Sequence, residues 1–487
     1  MKVLITYPPL PSKKGYPLLS QNRQFQWFNR HCPIYPVVPA QAATLLQKNG
    51  FQVIWKDGIA EKMGYTDWLD FVIQKKSDLI MMETKTPVVK RHWKIIKELK
   101  EKMPALKIIL VGDHATARPK ESFQNSPVDF ILTGGDYDFL LLNLAQNIGD
   151  NGRLNAQNLE PGIYYREKEE IKNTGKFELN HNLNNLPFIN RELTTWQNYA
   201  YEVGNFSRTP GAYIMAGRDC WHHECTFCSW TTLYPEYHSR SVENVLDEIG
   251  ELIEKHKVRE IMDDTGTFPI GDWLKSFCQG MIKRGYSKKV LLDCNMRFGA
   301  VDLAGYKLMK QAGFRFLLFG LESANQETLN RVSKNMTIDK IISSCKIAAQ
   351  AGLSPHVTIM FGYPWETEKD AQATVGLGHY LLRKGYAKTL QATIVIPYPG
   401  TPLFAECQKK GWLATEDWDR YDMRETVMKT SVPSERLQQL VQETYKIAFH
   451  PEFIARQIIS LRNLDDLKYF GRGVKAVFAH LADFKAR

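Results

Sequence analysis

The sequence has no long apolar run. Nowhere do about 18 apolar residues follow one another, so no membrane-spanning helix is predicted. The opening stretch, Met1-Lys-Val-Leu-Ile-Thr-Tyr-Pro-Pro9, is too short in apolar residues for a secretory signal and reads as a first buried strand. Cysteine is scarce, with eight in 487 residues. Without a signal, so few do not make a disulfide framework, and a reducing cytoplasm is expected. There is no basic tract: the net charge of +10 is spread among Glu and Asp. With no recognisable nucleic-acid motif, that excludes a nucleic-acid reading. The excess positive charge suits a solvated surface, and it admits attraction to anionic lipid headgroups or an acidic substrate. Internal repeats and low-complexity tracts are also missing.

What is present is ordinary for a globular chain: 44% hydrophobic and 24% charged residues. The length predicts two or three domains. Residues 1–150 alternate strand and helix. Strands are predicted at Val3–Tyr7, Phe51–Trp55, Asp78–Met82, Lys107–Val111 and Phe130–Leu132, with glycines at the ends of the last two. That pattern is an α/β, doubly wound parallel sheet, which takes ligands at the carboxyl ends of its strands. Residues 151–205 read as a linker carrying a hairpin. Its strands would be Gly162–Tyr165 and Lys176–Glu178, around a turn at Asn173–Gly175. Residues 206–405 alternate again, with strands at Ala212–Met215, Glu260–Met262, Val290–Leu292, Phe316–Phe319, Val357–Met360 and Ala392–Val395. Six βα units predict a partial barrel with its site at the strand carboxyl ends. Residues 406–487 are predicted to be a mostly helical closing domain.

Cys220, Cys225 and Cys228 stand together after the first barrel strand. Three thiolates without a nearby fourth suit a [4Fe-4S] cubane with one open iron, because a closed cluster takes four. Zinc is the alternative, with His222 or His223 as the fourth ligand. Cys278, Cys294, Cys345 and Cys407 are isolated among apolar residues and read as core thiols. Cys32, beside His31, lies in an aromatic loop that could reach a cleft. Tyr421–Arg424 is a polar knot that either lines substrate or ties down the last domain.

The cysteine segment resembles the cluster loop of the radical S-adenosylmethionine superfamily. It has four residues between the first two cysteines where the superfamily usually has three, and it keeps Phe227 before Cys228. Downstream, Met262–Thr267, Asn295–Arg297, Gly320–Ala324, Met360–Pro364 and Pro397–Thr401 follow successive strands in the superfamily's order. The resemblance implies S-adenosylmethionine contacts from Phe227, Asp263, Asp264, Asn295, Arg297, Glu322, Ser323 and Gly362. A doubly wound sheet ahead of such a barrel is similar to the cobalamin-binding group that includes the anaerobic magnesium-protoporphyrin monomethyl ester cyclase and hopanoid-modifying enzymes. That likeness implies cobalamin held by Pro8, Pro9, Thr84, Thr86, Gly112, Asp113, His114, Ala115, Thr116, Gly134 and Gly135. The Asp-x-His-x-x-Gly motif that gives cobalt a His elsewhere is absent, so either cobalamin lacks that ligand or the sheet is a scaffold.

The expected cofactors are therefore a [4Fe-4S] cluster, S-adenosylmethionine and cobalamin. The expected reaction starts from a 5′-deoxyadenosyl radical and methylates, cyclises or otherwise forms a carbon–carbon bond at an unactivated carbon. The expected substrate is a lipid, isoprenoid or tetrapyrrole. A flavodoxin or ferredoxin would supply electrons, and peripheral membrane association fits the charge. A metal-stapled assembly module is the reading from another class. The sequence assigns no catalytic residue.

Overall fold

The structure is a computed structural model that describes residues 1–19, 25–149, 152–201 and 206–484. The expected boundaries at 150 and 205 lie outside the described residues. Among them no helix is long and apolar enough to cross a membrane.

The first sheet is built from β1 (Lys2–Tyr7), β2 (Gln52–Asp57), β3 (Leu79–Glu83), β4 (Lys107–Val111) and β5 (Phe130–Leu132), in the order β2-β1-β3-β4-β5, all parallel. Its central strands are buried along almost their whole length, as parallel strands covered on both faces must be. The covering helices are α1 (Val37–Lys48), α2 (Tyr65–Lys75), α3 (Val89–Lys102), α4 (Asp113–Ala117), α5 (Pro119–Asn125) and α6 (Tyr137–Gln146). The strand order reverses direction between β1 and β3, which is where such sheets take ligands. In this chain Tyr7 and Glu83 meet at that point, with the phenol donating to the carboxylate at 2.5 Å, both buried.

The expected hairpin exists but is displaced. β6 (Ile163–Glu167) pairs antiparallel with β7 (Glu170–Asn173), so the turn is Lys168–Glu169 rather than Asn173–Gly175. Lys168 takes the left-handed backbone that a two-residue hairpin turn demands. β6 also pairs with β5, so the hairpin extends the first sheet. After it, Arg191 is buried and bonds Glu248 of the barrel at 3.2 Å.

The second sheet runs in chain order: β8 (Gly211–Ile214), β9 (Glu260–Asp263), β10 (Leu291–Met296), β11 (Phe314–Glu322), β12 (Ser354–Phe361) and β13 (Thr389–Ile394), all parallel. Between the strands lie α7 (Trp230–Leu233), α8 (Val242–Glu254), α9 (Asp272–Lys283), α10 (Leu303–Gln311), α11 (Gln326–Arg331), α12 (Ile338–Gln350) and α13 (Glu368–Arg383). The helices follow local rules. Ser241 caps α8, which buries Val245, Leu246, Ile249, Leu252 and Ile253. Thr367 and Asp370 form a reciprocal capping box on α13. The chain ends in α14 (Pro402–Lys409), α15 (Ser434–Tyr445), α16 (Pro451–Ile459) and α17 (Leu464–Asp483).

Candidate functional site

Parallel strands present their carboxyl ends on one face, so the loops after β8 to β13 meet at one mouth. Cys220, Cys225 and Cys228 line the cavity that opens there, a space of about 870 Å³. Phe227, Asp264, Asn295, Arg297 and Glu322 line the same cavity. Five of the eight residues implied for S-adenosylmethionine therefore converge with the three cysteines.

The other three do not. Asp263 is buried below the mouth, where its oxygens accept from the Ala216 and Thr265 backbone N–H groups at 2.8 and 3.0 Å. Burial raises its pKa to about 6. Ser323 is buried and donates to Glu366 at 2.6 Å. Gly362 sits at a positive φ of 95° and supplies the turn after β12 rather than a wall of the cavity. These residues shape the mouth from behind.

One partner was not read from the sequence. Lys334 donates to Glu322 at 2.7 Å, and both are buried or nearly so at the cavity wall. Burial opposes the charge on Lys334, but Glu322 and Cys225 beside it outweigh that and raise its pKa. Burial pushes the Cys225 thiol up, and Lys334 pulls it back toward thiolate. The pair also explains Gly320, since a Cβ there would lie 2.1 Å from the Glu322 carboxylate and 2.7 Å from the Lys334 ammonium. A buried carboxylate needs a cation, and that was the available signal for Lys334. Thr267 is the other addition, with its hydroxyl 2.9 Å from the Cys220 sulfur.

Zinc needs four donors on one point, whereas a cubane takes thiolates at separate corners. His222 is engaged elsewhere, its Nε2 bonding the Ser333 carbonyl at 2.8 Å, and His223 is exposed. The donor set fits a cluster. Cys278, Cys294, Cys345 and Cys407 are buried, as expected of core thiols. Cys32 joins the cavity wall. Tyr421–Arg424 ties chain segments together: Asp422 pairs with Lys14 at 2.5 Å, and Arg424 donates to the carbonyls of Lys14 and Trp27.

The carboxyl edge of the first sheet is closely packed. A Cβ on Gly134 would lie 2.4 Å from Phe177, and one on Gly135 would lie 1.9 Å from the Tyr234 ring. Tyr234 also donates to the Gly135 carbonyl at 3.0 Å. Gly112 is pressed on the Thr84 carbonyl, 2.2 Å from where its Cβ would be. Thr84, Thr86, Asp113, His114 and Ala115 are buried. Thr84 bonds His92, Thr86 bonds His114, and Asp113 faces Lys85 at 3.7 Å. Pro8 and Pro9 are buried, with Pro9 packed on Gly58. Thr116 alone lines a space there, of about 250 Å³. Most of the eleven residues are thus engaged within the chain at this edge. Glycine does signal close approach, but here the approaching groups are the chain's own.

The barrel and the first sheet are locked together at this edge. Arg218, two residues before Cys220, reaches Asp136 at 2.9 Å, Asp138 at 2.6 Å and Gln41 at 2.7 Å. His181 bonds Asp136 at 3.2 Å and Glu160 at 2.8 Å.

Comparison with known proteins accords with this geometry. Residues 214–377 match the Radical SAM superfamily. An uncharacterised methyltransferase of Pyrococcus horikoshii is 24% identical over 412 residues, covering 82% of this chain and 85% of that relative. The anaerobic magnesium-protoporphyrin IX monomethyl ester cyclase of Cereibacter sphaeroides is 24% identical, covering 76% of this chain and 62% of the cyclase. Among solved structures, the radical S-adenosylmethionine methyltransferase TsrM of Kitasatospora setae, with cobalamin and a [4Fe-4S] cluster bound, superposes with a TM-score of 0.70. The match covers 99% of both chains at 14% identity and shows a shared fold.

Proposed function

We propose that the chain is a radical S-adenosylmethionine enzyme that acts on an unactivated carbon of a hydrophobic small molecule, by methylation, cyclisation or another carbon–carbon bond formation. The carrying observation is the convergence of three cysteines with the Glu322–Lys334 pair, Asp264, Asn295 and Arg297 on one cavity at the barrel mouth. When bound, the cluster and S-adenosylmethionine supply a 5′-deoxyadenosyl radical. Cys220, Cys225 and Cys228 hold the cluster, with Lys334 favouring thiolate at Cys225. Glu322, Asp264, Asn295 and Arg297 offer the charged and polar partners that a zwitterionic amino acid group needs. Phe227 packs with Val332 and Met360 beside them and offers an apolar face to a base. A one-electron donor of flavodoxin or ferredoxin type belongs to this reading.

Cobalamin is the second cofactor we propose, on the likeness to the cobalamin-bearing relatives. A second reading, in which the first sheet is a scaffold, is favoured by the closed edge at Phe177 and Tyr234.

The test is anaerobic reconstitution with iron and sulfide, followed by analysis of S-adenosylmethionine products. 5′-Deoxyadenosine is expected from the wild-type chain and not from a triple Cys→Ala variant at 220, 225 and 228. S-Adenosylhomocysteine alongside it would mark methyl transfer. A triple variant that keeps its full iron and sulfide sinks the assignment.

A further inference from the structure

The last two helices do not pack as the others do. α16 buries none of its residues, and α17, twenty residues long, buries only Asp483. A helix in water owes most of its stability to an apolar stripe buried against a partner. Phe453 and Leu481 pack partly against the core, but much of the stripe is left out: Ile458, Ile459, Leu464, Leu467 and Phe478, with Phe449 just before α16, are 52–75% exposed. Large exposed hydrophobics elsewhere in the described chain are scattered singly: Met1, Tyr16, Tyr201, Ile282 and Tyr380. Single residues of that kind need no explanation, whereas a contiguous patch does.

This surface also opens inward. Phe449, Ile454, Val474 and Phe478 are exposed and, at the same time, line the cavity that holds Cys220, Cys225 and Cys228. The cavity runs from the carboxyl mouth past Phe316 and Leu390 to Ser354 and Lys388, near the amino ends of their strands. Phe453, Phe470 and Val477 continue its wall under the helices.

The charge around the opening has one sign to offer. Lys446, Arg456, Arg462, Lys468 and Lys475 are exposed. The acids of the same region are neutralised: Glu452 by Arg383, Asp465 by Arg259, Asp466 by Arg208 and Asp483 by Arg424. Amphipathic helices with exposed aromatics and an excess of exposed cations suit the surface of an anionic bilayer. A protein partner would cap the opening, whereas a bilayer supplies the apolar chains that fill it.

We propose that α16 and α17 lie on an anionic bilayer and that the cavity beneath them takes the apolar chain of a membrane lipid, delivering it toward the three cysteines. This rests on the radical S-adenosylmethionine reading above and names the substrate class for it.

The test uses the full chain, purified anaerobically, with vesicles of phosphatidylcholine alone or with phosphatidylglycerol. Flotation with the anionic vesicles is expected, falling as salt rises. Lys468→Gln with Lys475→Gln should weaken partition by about tenfold or more. Leu464→Ser with Phe478→Ser should weaken it similarly, and circular dichroism checks that both variants fold. Uptake of the fluorescent fatty acid cis-parinaric acid is expected in the wild type and should be lost in Val477→Trp, which fills the cavity and leaves vesicle binding intact. Absence of flotation, partition unaffected by the variants, or no fatty-acid uptake overturns the proposal. Self-association without vesicles that the Leu464→Ser and Phe478→Ser pair abolishes would also overturn it, by assigning the patch to a second copy. S-Adenosylmethionine cleavage on the same samples reports separately on the radical reading.

Discussion

Arg218 and Asp138 pair across the two sheets, guanidinium Nη2 to carboxylate Oδ2 at 2.6 Å, with both side chains buried. Arg218 belongs to the segment that enters the cysteine loop, and Asp138 lies in the first turn of α6 of the first sheet. The loop is therefore positioned from outside its own barrel.

Removing one partner of a buried ion pair strands the other charge. Arg218→Met should lower unfolding free energy by about 3–5 kcal/mol, measured by denaturant titration. It should also lower iron content after reconstitution, because the loop loses its anchor. Full iron loading at unchanged stability would contradict this account.

Glu322→Ala should weaken S-adenosylmethionine binding by roughly 1.5–3 kcal/mol while the cluster spectrum persists. Lys334→Met should cost binding as well, since it leaves Glu322 buried without its cation. If the two residues act as a pair, the double variant should lose less than the sum of the single losses. Affinity followed by paramagnetic resonance provides the measurement.

Phe177 and Tyr234 cover the glycines at the edge of the first sheet. Corrinoid retention after incubation with hydroxocobalamin and gel filtration should therefore be greater for Phe177→Ala and Tyr234→Ala than for the wild type. If all three proteins leave the column colourless while still cleaving S-adenosylmethionine, the sheet is a scaffold.

Burial opposes the charge on His181, but Asp136 and Glu160 outweigh it and raise its pKa to about 9. A folded-state value above the unfolded one, about 6.5, gives stability that is complete below that pH and lost as pH rises toward 9. Thermal melts of the wild type should fall more between pH 6.5 and 9 than those of His181→Gln. Parallel curves would show that His181 is not held by Asp136 and Glu160.

Both sheets were legible because parallel strands carry continuous apolar runs between helices of regular apolar spacing. The cysteine set was legible because spacing along one loop is a local property. The hairpin turn was misplaced because Asn173–Gly175 has the composition of a turn, while Lys168 adopts the left-handed backbone without announcing it. Asp263 was assigned to the cavity by its position at a strand end, yet its carboxylate turned back to two backbone N–H groups. Lys334 was missed because its partner, Glu322, is twelve residues away and they meet only through the bend that ends β11. Gly134 and Gly135 announced crowding without identity, and identity required Phe177 and Tyr234 from distant segments.

The anchoring of the cysteine loop by Arg218 ties the three thiols to the seam between the two sheets. Asp136, Asp138 and Gln41 hold the segment that enters the loop, so a change that parts the sheets also loosens the loop that presents the thiols.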